Sequence, residues 1–326
     1  MAKTRCYERC EMKNIEGIQV LLSTPMLEDG RLDYESLERL IEHVIRGGIH
    51  GIMLLGSTGE FFSLSDEERK EFTKRAIARI NGRVAVGVCS GAAGTEPAID
   101  LARHAEQCGA DYLLVPIPFY FDNTLAGVVD FYTRVARSVS IPIMPYDGGG
   151  GKSLDMETWR RIVAGAKNIT LAKVTIPFPP TIKWLHEEFG GRVRTFGGSD
   201  QTILLCLAYG ACGLAIAGAN VVPEMFVRMF ELYRKGDWDE ARRVLYEKMS
   251  PMNEIACPAK TEYIQCYKQA LYWMGIIASP YARGPLMPLD EIRKQELLAA
   301  LMRMGVPLVQ ERCVQASNEA PLFKKR

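Results

Sequence analysis

Eight short apolar runs, each followed by a longer stretch of helical periodicity, constrain the fold of this chain more than any other feature. The runs are Gly17–Ser23, Gly51–Gly56, Val84–Cys89, Tyr112–Ile117, Ile141–Tyr146, Ile169–Val174, Val193–Gly198 and Gly213–Gly218. Continuous β-branched and apolar composition of this kind suits strands buried on both faces. In the first intervening stretch Leu37, Leu40, Ile41, Val44 and Ile45 recur at helical spacing. The second opens Ser65-Asp66-Glu67-Glu68, a capping box with Ser65 as N-cap. The third opens at Thr95, the fourth near Asn123 or Thr124, and the fifth at Asp155. Strand–helix alternation over residues 15–237 predicts a closed (β/α)8 TIM barrel. The alternative is an open doubly wound sheet. That fold more often carries a Gly-x-Gly-x-x-Gly turn after its first strand, and none is present.

After residue 237 the strand pattern stops. Asp239–Met249, Ala259–Met274 and Asp290–Met304 read as helices, broken by Pro251, Pro258, Pro280, Pro285 and Pro288. They predict a C-terminal helical extension over residues 238–308. Residues 1–14 are polar and read as a flexible tail, and residues 309–326 as a disordered one.

Composition narrows the function classes. A net charge of +1 over 326 residues gives no long-range field for nucleic acid or an anionic membrane. No apolar run approaches membrane-spanning length, and the first residues lack a hydrophobic signal core. The nine cysteines have no metal-ligand spacing. Cys89, Cys108, Cys206 and Cys212 fall in apolar segments and read as buried thiols of a reducing compartment; Cys6 and Cys10 have no clear role. His43, His50, His104 and His186 form no ligand cluster, so no metal or other cofactor is expected. The expectation is a soluble cytoplasmic protein.

In a barrel of this type chemistry gathers at the C-terminal ends of the strands. The sixth run, Ile169-Thr-Leu-Ala-Lys-Val-Thr-Ile176, contains Lys173. An amine in such a strand loses hydration, which disfavours its charged form; a neutral amine attacks carbonyls and forms Schiff bases. The simpler alternative is a lysine whose stem is buried and whose head reaches water. The second run ends in Gly56-Ser57-Thr58-Gly59-Glu60, where two hydroxyls and nearby N–H groups can cradle a carboxylate. An ordinary Gly-Ser turn is the alternative. The fourth ends in Pro116-Ile-Pro-Phe-Tyr120, the fifth in Tyr146 followed by Asp-Gly-Gly-Gly-Gly-Lys152, and the seventh in Gly197-Gly-Ser-Asp200. The eighth runs from Gly213 through Ala215 to Asn220. One lysine, one tyrosine, two hydroxyls and several glycines therefore face a common mouth. Imine chemistry needs an amine, a proton shuttle and an anion cradle.

On these residues the chain resembles the dihydrodipicolinate synthase / N-acetylneuraminate lyase family of pyruvate-dependent class I aldolases, over roughly residues 15–308. Gly56-Ser-Thr-Gly-Glu60 is spelled as the family spells its pyruvate-carboxylate loop, and Leu64-Ser65 with Glu67-Glu68-Arg69 fits the usual continuation. Pro118-Phe-Tyr120 stands where the family has a Pro-Tyr-Tyr-like segment. Gly213 to Asn220-Val-Val-Pro223 and Arg283-Gly-Pro-Leu286 match two further segments. The resemblance implies that Lys173 is the Schiff-base lysine and Tyr146 the proton-relay tyrosine. It implies substrate contacts from Ser57, Thr58, Gly59, Tyr120 and Ala215; Lys152, beside the glycines, is expected from its own charge to add a substrate contact for an anion. It also implies a 2-oxo acid substrate, an aldehyde acceptor, and a homotetramer built as a dimer of dimers.

Three departures stand out. The family usually has Asn, then Pro two residues later, after the tyrosine; here Asp147-Gly-Gly-Gly-Gly151 follows. Members that make dihydrodipicolinate place an arginine in that loop, whereas here Lys152 is the only cation between Tyr146 and Trp159. Val174-Thr175 replaces the acidic residue that commonly follows the lysine. Gly-Gly-Lys152-Ser153 is no P-loop, because Tyr146 stands where its first glycine would be. Pro145 lacks the N–H a central strand needs and predicts a break in the ladder. The imine machinery is expected intact and the second-substrate pocket remodelled. The glycine loop reads either as a roomy acceptor site or as plain surface. The leading expectation is a Schiff-base lyase or aldolase acting on pyruvate or a related 2-oxo acid. Its alternatives are a 2-keto-3-deoxy sugar acid dehydratase resembling 5-dehydro-4-deoxyglucarate dehydratase, then a 4-hydroxy-tetrahydrodipicolinate synthase, then a non-catalytic ligand-binding member.

Overall fold

The computed structural model describes residues 15–175, 180–257 and 262–313. The expected tail over residues 1–14, with Cys6 and Cys10, lies outside them, as do residues 314–326 and the start of the helix expected from Ala259.

Eight parallel strands close into a barrel: β1 (Gly17–Leu21), β2 (Gly51–Leu54), β3 (Ala85–Cys89), β4 (Tyr112–Pro116), β5 (Ile143–Asp147), β6 (Leu171–Val174), β7 (Arg194–Gly197) and β8 (Gly213–Ile216). Each pairs with its sequence neighbour, and β8 returns to β1. Eight helices follow in turn: α1 (Tyr34–Arg46), α2 (Asp66–Ile80), α3 (Thr95–Cys108), α4 (Leu125–Arg137), α5 (Met156–Gly165), α6 (Pro180–Phe189), α7 (Ile203–Ala208) and α8 (Pro223–Arg234). All eight expected strands are present, trimmed by a residue or two at their ends, except that β5 runs one residue further, to Asp147.

Local chemistry sets the helix starts. Asp33 accepts from Ser36 N at the head of α1. Ser65 and Glu68 form the expected capping box on α2, and Thr124 and Asp155 cap α4 and α5 through their side chains. Such caps satisfy N–H groups that have no partner inside the helix. One apolar face of each helix then packs on the barrel; on α1 it is Leu37, Leu40, Ile41 and Val44, all buried. Inside the barrel the Tyr112 hydroxyl donates to Gln19 Oε1 at 3.0 Å, so these two buried polar groups are paired.

The ladder between β5 and β6 is interrupted, as Pro145 predicted. Ile143 bridges Ile169, and regular pairing resumes only at Tyr146↔Lys173 and Asp147↔Val174. One extra residue on the β6 side absorbs the missing N–H. Its effect is to bring Tyr146 and Lys173 side by side at the mouth.

Four more helices follow: α9 (Trp238–Lys248), α10 (Ser250–Ala256), α11 (Glu262–Trp273) and α12 (Glu291–Met304). α10 was not expected. Pro251 was read as a break, but it stands in the first turn of a short helix, where its missing N–H costs no intrahelical bond. The tail expected from 309 begins docked: Val309 N donates to Trp273 O at 2.8 Å, and Arg312 donates to the Tyr272 and Ile277 carbonyls. Cys89 and Cys206 are buried as expected, whereas Cys108 and Cys212 are partly exposed. None of the described helices is long and apolar enough to cross a membrane.

Candidate active site

Lys173, on β6, is 2% exposed. Its Nζ lies over the face of the Tyr146 ring, 3.9 Å from the centroid, so the contact is with the π-cloud. Two glycines make room for the pair. A Cβ on Gly198 would fall 2.7 Å from Lys173 Cε and 2.2 Å from Thr175 Oγ1. A Cβ on Gly149 would fall 2.9 Å from the Tyr146 ring.

A half-buried carboxylate stands close by. Asp200, just past β7, accepts from Gly218 N at 2.9 Å and Ala217 N at 3.2 Å. Burial raises its pKa, against which these two N–H groups and the nearby Lys173 amine act. Asp200 thus ties the end of β7 to the end of β8 while facing the lysine electrostatically. The sequence placed it at a strand end but assigned it no role.

The Gly56–Glu60 loop folds tightly over the end of β2. Gly59 N donates to Gly56 O and Glu60 N to Ser57 O, both at 3.0 Å, and Thr24 Oγ1 donates to Gly59 O at 2.7 Å. Thr58 is 1% exposed, and Ser57 is partly exposed. Glu60 adopts left-handed backbone, φ +56°, unusual for a residue with a Cβ. Its fully buried carboxylate pairs with the equally buried Lys268 of α11 and accepts from Arg283 N at 3.1 Å. Lys268 could not be found from spacing, because only the tertiary fold brings α11 to this loop.

The remaining expected residues lie elsewhere. Asp147 turns inward rather than into a loose loop. Its carboxylate accepts from Leu154 N at 3.0 Å and Trp159 Nε1 at 3.2 Å, and burial raises its pKa against these two bonds. Lys152 donates to Asp122 Oδ1 at 2.9 Å and to the Phe121 carbonyl at 2.7 Å, so its charge is already engaged. It lines a cleft of about 410 Å³ between the loops after β4 and β5, together with Asp122, Asn123, Leu154 and Thr158. Neither Lys173 nor Tyr146 lines that cleft. Ala215 is fully buried within β8, in register with Gln19. Tyr120 is 76% exposed, packed edge-on against Phe121 with centroids 4.6 Å apart. The fold therefore gathers Lys173, Tyr146, Ser57, Thr58 and Gly59 at one mouth, and within this chain leaves Tyr120 and Lys152 outside that group.

The arrangement of a buried amine, a phenol, a hydroxyl loop and a carboxylate suits imine chemistry on a small keto acid. The model of the dihydrodipicolinate synthetase family matches residues 14–304. A 4-hydroxy-tetrahydrodipicolinate synthase of Acidiphilium cryptum is 33% identical over 297 residues, covering 89% of this chain and 98% of that protein. An Escherichia coli protein, YagE, provisionally assigned as a 2-dehydro-3-deoxy-D-gluconate aldolase, is 30% identical, covering 88% of this chain and 96% of its own. Among solved structures, dihydrodipicolinate synthase from Aquifex aeolicus superposes with a TM-score of 0.85 at 28% identity, covering 90% of this chain and 99% of that one. YagE in complex with pyruvate superposes with a TM-score of 0.84, also at 28% identity, over 90% and 99%.

Proposed function

The chain belongs to the dihydrodipicolinate synthetase family, whose members are lyases and aldolases, and we propose that it works through an imine between Lys173 and pyruvate or a related 2-oxo acid. The observation that carries this reading is the buried Lys173 amine stacked on Tyr146 beside the Ser57–Gly59 loop. The Lys173 amine adds to the keto carbon through its lone pair. Tyr146 delivers a proton to the resulting carbinolamine oxygen, which leaves as water when the C=N bond forms. Loss of a C3 proton, or cleavage of the C3–C4 bond, then leaves an enamine whose electrons the iminium has accepted. Ser57 and Thr58 hold the carboxylate. YagE, a relative at 30% identity, has a solved complex with pyruvate, which supports the substrate class.

For the second substrate we favour a sugar acid over aspartate semialdehyde. The loop after β5 has no arginine, Asp147 is turned into the protein, and Lys152 is engaged by Asp122. No group with a strict bidentate geometry is left there to select a short acidic aldehyde. Dehydration of a 2-keto-3-deoxy sugar acid uses the same imine and is the second reading, favoured by the same loop. A reducing, cytoplasmic setting is part of the proposal, supported by the free thiols of the described cysteines.

Borohydride trapping tests the imine. Incubation with pyruvate, or with a panel of 2-oxo acids, should give an adduct on the peptide containing Lys173. Lys173→Arg should abolish it, since a guanidinium stays protonated and cannot attack. An adduct on another lysine, or none with any keto acid, removes the reading. Efficient condensation of pyruvate with aspartate semialdehyde would instead restore the synthase of the lysine pathway.

A further inference from the structure

The substrate loop is strained at both ends. Leu55, just before Gly56, has φ +57°, and Glu60, at the far end, has φ +56°. Residues with a Cβ avoid this left-handed region, and one stays there only where its surroundings hold it. Between the two, Gly59 packs so closely that a Cβ on it would fall 3.0 Å from Leu55 Cα and 3.1 Å from Leu22 O. Ser57 and Thr58 therefore owe their placement to how firmly Leu55 and Glu60 are held.

The two ends are held by different forces. Leu55 is 1% exposed and packs in the barrel core. Glu60 closes the turn through its backbone: its N–H donates to Ser57 O, and its carbonyl accepts from Ser63 N at 2.9 Å and Ser63 Oγ at 3.0 Å. Its fully buried carboxylate accepts from Arg283 N and pairs with Lys268. The Arg283 guanidinium is engaged elsewhere, by Glu68 and the carbonyls of Gly30 and Ser63. Among the described residues, Lys268 is the only cation in ion-pair contact with Glu60. Lys268 is itself fully buried and donates to the Tyr281 carbonyl at 2.7 Å, so α11 holds it in place. A carboxylate shut away from water stays an ion only beside a counter-charge; without one it takes up a proton or moves out to solvent. Either change loosens the charged end of the turn.

We propose that Lys268 is a positioning residue of the active site: it keeps the Glu60 carboxylate inside the protein and so holds the left-handed end of the turn that presents Ser57 and Thr58 to the carboxylate of the bound 2-oxo acid. This rests on the imine reading of Lys173, and the test separates the two. Full-length wild type, Lys268→Met and the Lys268→Met, Glu60→Gln double variant are titrated with pyruvate under borohydride, and the Lys173 adduct is measured by mass spectrometry. Methionine keeps much of the lysine's length and none of its charge. Lys268→Met should raise the half-saturating pyruvate concentration about tenfold, the worth of one hydrogen bond to a charged group. Labelling at saturation should still reach the wild-type extent, because Lys173 and Tyr146 stand on other strands. Deuterium uptake should rise in the peptide covering residues 55–64 and not in those covering β4 or β8. Adding Glu60→Gln removes the stranded charge and leaves an acceptor for Arg283 N. The double variant should return to within about threefold of the wild type, the second substitution repairing the first. A role in overall stability alone would leave half-saturation of the folded protein unmoved. Unchanged half-saturation in folded Lys268→Met overturns the proposal, and so does a double variant that binds no better than the single one. If Lys268→Met does not fold, the double variant decides: recovery of folding and of pyruvate half-saturation supports the proposal, and failure of either overturns it. Absence of any adduct in the wild type overturns the imine reading itself, and this proposal with it.

Discussion

Tyr146 is the residue whose role the geometry sharpens most. Its ring is the face on which the Lys173 amine rests. The amine meets the ring rather than the hydroxyl, and catalytic hydrogen bonds often tighten only once substrate is bound. Tyr146→Phe keeps the ring under the amine and removes only the acid. Turnover should fall by roughly 10²–10⁴-fold, with the fold and the ring contact retained. Steady-state kinetics beside a thermal melt checks it; a folded variant of undiminished kcat would end the relay role. That Lys173, Tyr146 and the Ser57–Thr58 pair stand at one mouth was legible in the sequence because strand ends in a barrel converge by rule. The Lys268 partner of Glu60 was not, since nothing in a helical register says which loop the helix will meet.

At the scale of elements, the β5–α5 connection overturned an expectation. Four glycines suggested a free loop, but both ends are tied, by Asp147 to Leu154 and Trp159 and by Lys152 to Asp122. Composition reports the freedom a segment would have alone, not the anchors its neighbours provide. Asp147→Asn should cost about 1–3 kcal/mol, because an amide can accept only one of the two N–H groups and turns its own donor toward the other. The pH dependence has a definite sign. Burial raises the folded pKa of Asp147 above its unfolded value, so its contribution to stability is complete below the ordinary aspartate range. That contribution is lost as pH rises through the raised value. In denaturant melts the stability of the wild type relative to Asp147→Asn should decline from acid to neutral pH. Parallel curves would remove the assignment. α10 was missed for a different reason: proline breaks a helix interior but is welcome in its first turn, and spacing alone does not tell the two apart.

At the scale of the whole molecule, the barrel was legible because its period repeats eight times, whereas its outer surface was not. Phe62, Phe119, Tyr120 and Phe121 are all exposed, and Phe119 packs against Phe61, so the patch joins the loops after β2 and β4. Aromatic surface of this kind marks an interaction site. We propose a second copy of the chain as its occupant, an arrangement that would account for Tyr120 standing away from Lys173 within one chain. Sedimentation velocity should show an oligomer, and a Phe119→Ser, Phe121→Ser double variant should shift it toward smaller species. A wild type that sediments as a monomer at micromolar concentration would remove the idea.

The Glu60–Lys268 pair has a consequence for synthesis. On the ribosome the β2 loop emerges long before α11 does. A carboxylate cannot be buried as an ion until its counter-charge arrives. Glu60 must therefore stay in water while the other barrel strands are being made, and the carboxylate cradle closes only when the last quarter of the chain is available. The barrel and its extension, separate to the eye, are one unit in time: the site that opens the sequence is completed by the residues that end it.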